Sequence, residues 1–211
     1  MSFEFLTVDA AQSEGGRTPL ARSPMERAAR AAGARFAVRD GWNVAVAFDN
    51  GEAGTCGWTD LSHLGKLEVH GSAGIALELG TATRDGETWW CPLTRGRAVA
   101  ICPTGQTADL RTRLEETATV VEVTTAYAAL AISGPLAREV FARFCALDLR
   151  PAVMPVGAFR PGSVARTPGM VLREGEDRYL MLFGWALGEY MWSVVADAAQ
   201  HLGGRPVGVD A

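Results

Sequence analysis

The sequence predicts an α+β protein, and three observations predict it. First, residues 127–133 are rich in apolar side chains, too short for a buried helix, and stopped by Ser133-Gly134-Pro135. Beyond that stop, Leu136, Ala137, Val140, Phe141, Phe144 and Cys145 recur at helical spacing opposite Arg138, Glu139 and Arg143. Pro135 suits a first helical position, where its missing N–H costs nothing. Second, the same grammar of strand, glycine and helix occurs about sixty residues earlier. There Leu67 and Val69 alternate with Lys66, Glu68 and His70, as in a strand with one wet face, and Ser72 caps a short helix that Gly80 ends. Third, residues 170–173 and 178–183 read as a hairpin across Glu174-Gly175-Glu176-Asp177.

The remaining elements follow in order. Residues 1–22 form a leader, with a flexible Gly- and Pro-punctuated stretch at 13–19. Ser23-Pro24-Met25-Glu26 opens a helix, with Ser23 as N-cap and Glu26 placed to complete a capping box, and Gly33 ends it. Residues 34–38 and 42–48 are short strands about an Asp40-Gly41 turn. Arg84-Asp85-Gly86-Glu87 is a turn, and 98–102 is a buried strand closed by Pro103 and Gly105. Thr107 opens a helix with Leu110 and Leu114 inward, and 119–124 returns as a strand. Residues 146–166 are a loop punctuated by three prolines. The last helix aligns Leu187, Met191, Val194, Val195, Ala198 and Leu202, and Gly203-Gly204 ends it. No linker divides the chain, so 23–211 is expected as one domain of two interlocked subdomains, about 23–118 and 119–211.

Composition excludes several functions. With 48% apolar and 21% charged residues the 211-residue chain is no disordered protein, and a net charge of -4 gives nucleic-acid binding no support. Arg17, Arg22, Arg27, Arg30, Arg35 and Arg39 read as a solvated face. No run of about eighteen apolar residues exists and no signal-peptide pattern opens the chain, so a cytoplasmic protein is expected. Cys56, Cys91, Cys102 and Cys145 form no CxxC pair and read as reduced structural thiols. His70 and His201 have no partner at metal-ligand spacing, and the 24 glycines form neither a dinucleotide nor a triphosphate loop. Asp60-Leu-Ser-His63 contains the residue types of an acid-base site, although neighbours on a strand point to opposite faces. Trp89, Trp90 and Trp185 are candidate contact surfaces.

Several stretches resemble one family. Asp60-Leu-Ser-His-Leu-Gly-Lys-Leu-Glu-Val-His-Gly71, the strand-Gly-Pro-helix unit TTAYAALAISGPLAREVF and the late GEDRYLMLFGWALGEYMW are similar to segments of the folate-binding aminomethyltransferases. The resemblance covers about residues 19–210 and implies the fold of the glycine-cleavage T-protein: antiparallel sheets with packed helices, here without a C-terminal barrel. It places Asp60, His63, Glu176 and Asp177 near the family's cleft, as weak catalytic candidates. It also aligns Leu180 with the family's pterin-binding Glu, and an apolar residue cannot offer a pterin edge a carboxylate acceptor. The family's Asp-bearing loop has no counterpart between Thr88 and Ala98, where the segment 89–95 stands instead.

Cys145-Ala-Leu-Asp-Leu and Phe159-Arg-Pro-Gly resemble stretches of the gamma subunits of heterotetrameric sarcosine oxidases. That resemblance implies a non-catalytic chain that binds no cofactor or metal. Alpha, beta and delta subunits would be its partners, and flavins, NAD and tetrahydrofolate would sit on them. The assembly would oxidatively demethylate sarcosine or a related N-methyl amine. A stand-alone folate-dependent one-carbon transferase is the alternative, and an iron-sulfur assembly factor of the same fold would need a Lys-Gly-Cys-Tyr motif that the chain lacks.

Overall fold

The computed structural model describes residues 19–49, 54–71 and 78–211. Ala21–Arg22 (β1), Glu26–Ala31 (α1), Ala34–Arg39 (β2) and Trp42–Phe48 (β3) come first, and their strands form a small sheet in the order β1-β3-β2. Asp40 and Gly41 both adopt positive φ, 45° and 77°, as a two-residue hairpin turn matched to strand twist requires. Ser23 Oγ accepts the Met25 N–H at 3.0 Å, but α1 starts only at Glu26 and the capping box does not form. The Glu26 carboxylate is taken instead by Arg22 and Arg30, at 2.9 and 2.8 Å. Both guanidinium groups bond the same oxygen, Oε1, and with Met25 at the N-cap Glu26 stands at the first helical position rather than the third that a capping box needs.

Gly57–Asp60 (β4), Gly65–His70 (β5), Thr83–Asp85 (β6), Thr88–Thr94 (β7), Arg97–Cys102 (β8), Thr107–Glu115 (α2) and Thr119–Glu122 (β9) follow. They build a five-stranded sheet in the order β6-β7-β8-β5-β9, from which β4 is absent. The segment expected to replace a catalytic loop, 89–95, is therefore mostly strand β7. Leu67 and Val69 pack under α2 as the alternation predicts, with Leu110 and Leu114 above them. Lys66 corrects the alternation: assigned to a wet face, it has 0% exposure. Its strand partner is Ile101, which faces a second sheet rather than solvent. The helix expected after Ser72 falls largely on 72–77, outside the described residues.

Tyr127–Ser133 (β10), Ala137–Ala142 (α3), Phe159–Val164 (β11), Thr167–Gly175 (β12), Arg178–Gly184 (β13), Gly188–Gln200 (α4) and Arg205–Pro206 (β14) complete the chain. With β4 they form a six-stranded sheet in the order β11-β12-β13-β10-β4-β14. Gly134 turns at φ 108°, so α3 begins at Ala137 rather than at Pro135. Strand β11 lies inside the stretch read as a loop. Its Pro161 hid it from the sequence reading, and the strand tolerates that proline because it is the sheet edge.

The layers stack as α1, α3 and α4, then the six-stranded sheet, then the five-stranded sheet, then α2. One core packs Phe141, Met191, Trp192 and Val195 against Leu130, Ile132, Met181 and Phe183. Between the two sheets lie Cys91, Val99 and Ile101 against Ala129, Ala131, Leu172, Leu180 and Leu182. The halves of the chain exchange strands: β4 joins the late sheet beside β10, and β9 joins the early sheet beside β5.

Candidate functional site

The densest group of buried polar side chains sits where β4 turns into β5. The β4–β10 ladder ends at the Asp60↔Leu130 pair, and the turn that follows must find its own backbone partners. Asp60 Oδ1 accepts the Ser62 N–H at 2.9 Å, an Asx-type turn. Ser62 Oγ accepts the Ala129 N–H at 3.2 Å and so extends the ladder by a side chain, while the Leu61 N–H reaches the Ala129 carbonyl at 2.9 Å. Lys66 closes the turn, with Nζ donating to the carbonyls of Ser62 at 2.9 Å, Leu64 at 2.8 Å and Thr124 at 3.3 Å.

Burial governs the electrostatics here. Burial pushes the Asp60 carboxyl up from its ordinary value, against hydrogen bonds from Ser23 and Ser62 and the charge of Lys66. Lys66 is pulled down to about 7, again by burial, with Asp60 opposing. His63 is lowered to about 4 by burial and by the nearby charges of Lys66 and Arg39, with Asp40 opposing, so its imidazole is neutral at neutral pH. The His63 carbonyl accepts the Thr104 hydroxyl, which ties the turn to the one-turn helix Thr104–Gln106. Ser62 and Lys66 are both fully buried, and their polar atoms are committed to the backbone. Chemically, the arrangement staples three segments together and presents no nucleophile to a substrate.

The other candidates lie elsewhere. Glu176 and Asp177 sit exposed in the β12–β13 turn, where the Asp177 carbonyl accepts the Gly134 N–H at 2.9 Å. Strand register puts that turn beyond Ser133, whereas Asp60 pairs with Leu130 and His63 lies further toward the opposite end of β10. Three residues of strand alone span about 10 Å. The four ionisable candidates therefore do not converge on one reacting centre. Leu180 is 1% exposed in the apolar layer between the sheets, where its neighbours include Cys91, Phe159 and Leu172. Two adjoining surface depressions of about 360 and 510 Å³ run along α2, and none of Asp60, His63, Glu176, Asp177 or Leu180 lines them.

Trp90 corrects the set of contact residues: 3% exposed, it packs with Leu67, Ala100 and Leu110 and offers no surface. Trp89 is half-buried beneath the Arg84 guanidinium, and Trp185 is half-buried edge-on to Trp42 at 6.0 Å. The sequence reading missed Lys66 and Thr124 as members of the polar junction. The signal available for it was the Asp-x-Ser turn signature, which places a carboxylate and a hydroxyl where a ladder has just ended. Among the described residues no cluster of His, Cys, Asp and Glu could hold a metal ion, and no helix is long and apolar enough to cross a membrane.

The family model of the GCVT N-terminal domain matches residues 98–211, from β8 through β14. The chain belongs to the GCVT family. This GCVT chain is 28% identical to an aminomethyltransferase of Mycobacterium avium (strain 104), an alignment covering 91% of the chain and 61% of that protein. Among solved structures, the aminomethyltransferase T of the Bartonella henselae glycine cleavage system matches with a TM-score of 0.74 at 18% identity, over 91% of the chain and 60% of the other. A chain of the heterotetrameric sarcosine oxidase from Corynebacterium sp. U-96 matches with a TM-score of 0.67, also at 18% identity, over 89% of this chain and 98% of that one. The GCVT chain thus spans about three-fifths of the aminomethyltransferases it matches, and its α+β fold is of the T-protein type. The family match contains Leu180 and the strand-Gly134-helix unit but stops short of the Asp60 to Lys66 junction.

Proposed function

We propose that this chain is a non-catalytic, gamma-type subunit of a heterotetrameric sarcosine oxidase-like flavoenzyme. The observation that carries the reading is Leu180, 1% exposed and packed between two sheets where the resemblance calls for a pterin-binding carboxylate. The residues there do not fit a pterin. Its donors would be buried against methyl groups, at roughly 1–3 kcal/mol for each one left unpaired. The sarcosine oxidase chain matched along 98% of its length favours the same reading. In this reading alpha, beta and delta subunits are the partners, with flavins and NAD held by alpha and beta and tetrahydrofolate by alpha. The assembly would use dioxygen to oxidise sarcosine to glycine, or a related N-methyl amine to its demethylated amine, with dioxygen reduced to hydrogen peroxide and the methyl carbon leaving as formaldehyde, its oxygen taken from water, or as methylene-tetrahydrofolate.

The competing reading is a stand-alone folate-dependent one-carbon transferase, favoured by the aminomethyltransferase match. Two measurements separate them. The chain is purified with its candidate partners, and the native mass and flavin absorbance of what co-elutes are recorded. The isolated chain is titrated with tetrahydrofolate by calorimetry. A stoichiometric flavin-containing complex and no folate binding are expected. Micromolar folate binding by the isolated chain, without a flavin complex, would sink the subunit reading.

A further inference from the structure

The smaller of the two depressions, about 360 Å³, lies between α2 and the tip of the β6–β7 hairpin. Asp85 pairs with Thr88 there, and Gly86 turns the two-residue tip at φ 56°. Glu87 at the tip accepts the side-chain N–H of Gln106 at 2.7 Å, so the two walls are tied together. The volume falls within the roughly 300–1,000 Å³ of small-ligand sites.

Three polar groups of this depression have no partner among the described residues. The first is the Arg113 guanidinium. Asp109 stands one turn before it, the spacing at which Arg111 and Glu115 of the same helix pair at 2.7 Å, yet Asp109 and Arg113 form no ion pair. The second is the Asp85 carboxylate on the hairpin wall. Its neighbour Arg84 is drawn away to the Gly86 carbonyl at 3.2 Å and to the face of Trp89. The third is the indole N–H of Trp90, which underlies the depression at 3% exposure and meets no acceptor. A buried donor left unpaired costs about 1–3 kcal/mol.

A guanidinium and an N–H donor call for an oxyanion, whereas a carboxylate calls for a cation. A simple anion would leave Asp85 facing it, and a simple amine would be repelled by Arg113. We propose that this depression binds a free zwitterionic amino acid, its carboxylate on Arg113 and the Trp90 indole N–H and its ammonium on Asp85. Asp85 and Arg113 stand on opposite walls, so one ligand with both charges satisfies both. A metal ion is the poorer occupant, since no cluster of His, Cys, Asp and Glu among the described residues could hold one. The inference is independent of the subunit reading given above.

The test titrates glycine, the smallest such ligand, into the isotope-labelled chain while its amide and indole N–H signals are followed by NMR. Acetate and methylamine serve as the separate anionic and cationic halves. The Trp90 signal is assigned as the one missing from Trp90→Phe. Glycine is expected to saturate with a Kd of about 1–10 mM and to move the Trp90 indole signal, and each half alone should bind at least about tenfold more weakly. Arg113→Ala and Asp85→Asn, both at exposed positions, should each weaken glycine at least about tenfold while thermal midpoints stay within about 3 °C. Arg111→Ala, which breaks the neighbouring ion pair outside the depression, should leave glycine binding unchanged. Acetate binding as tightly as glycine overturns the zwitterion in favour of a plain anion. The absence of a saturable shift, or glycine binding that survives both substitutions or leaves the Trp90 signal unmoved, overturns the site.

Discussion

Lys66 and Thr124 hold each other twice. The Thr124 hydroxyl accepts the Lys66 backbone N–H at 3.1 Å, and the Thr124 carbonyl accepts the Lys66 ammonium at 3.3 Å. The pair joins the start of β5 to the connection that leads into β10, across 58 residues of sequence.

Lys66→Met is expected to destabilise the protein despite removing a buried charge. It strands the carbonyls of Ser62, Leu64 and Thr124 in a dry site, at roughly 1–3 kcal/mol each. Urea denaturation at pH 7 should show a loss of about 3 kcal/mol or more, and an unchanged midpoint would refute the staple. The pH dependence has a definite sign. With the folded lysine near 7 and the free side chain near 10.5, the unfolded chain binds more protons between those values. Wild-type stability should therefore rise relative to the methionine variant from pH 7 toward 9, by up to about 1.4 kcal/mol per pH unit.

His63 predicts the acid limb. Its folded value near 4 lies below the ordinary 6.5, so the unfolded chain gains a proton that the folded protein refuses. The stability it contributes is complete above pH 6.5 and is lost as pH falls toward 4. The span corresponds to about 2–3 kcal/mol after allowance for partial exposure. His63→Gln should flatten this part of the stability profile, and an identical slope in both proteins would refute the assignment.

Leu180 separates a packed layer from a vestigial cleft. Leu180→Ala is expected to cost about 2–5 kcal/mol, as a truncation inside a filled core does. Leu180→Glu should cost at least as much, because it buries a carboxylate without a partner, and it should gain no folate affinity. A folded Leu180→Glu protein of wild-type stability would mean that the space between the sheets is open to water.

Gly134 is where β10 hands over to α3. Its φ of 108° disfavours any side chain, and a Cβ there would lie 2.8 Å from the Thr55 carbonyl oxygen. Gly134→Ala should lower stability by about 2 kcal/mol or more in thermal denaturation. Wild-type behaviour would show that the turn relaxes freely.

Much of this fold was legible because periodicity and punctuation agreed. The β2–β3 hairpin about Asp40-Gly41, buried β8, α2 with Leu110 and Leu114 inward, and the β12–β13 hairpin all follow from alternation or helical spacing bounded by turn residues. Strand β11 was not legible, since Pro161 argues against a strand unless the strand is known to be an edge. Nor were β1 and β14, two-residue strands whose parallel pairing with β3 and β4 has no local signature. The polar junction was hidden for a related reason. Alternation assigns Lys66 to a face without saying whether solvent or another sheet lies against it, and Trp90 was likewise placed outside because a tryptophan reads the same at a surface and in a core. Leu180 was legible only through the family resemblance, since a leucine in an apolar strand is otherwise unremarkable.

The exchange of β4 and β9 between the sheets also governs the order in which the chain can fold. As it leaves the ribosome, β4 has no neighbour until β10 emerges some seventy residues later, and β5 keeps one edge bare until β9 arrives. A nascent chain halted before Thr119 can complete neither large sheet, and the six-stranded one must wait for β14 at Arg205–Pro206, so this protein commits late in its own synthesis and needs its exposed strand edges guarded until then.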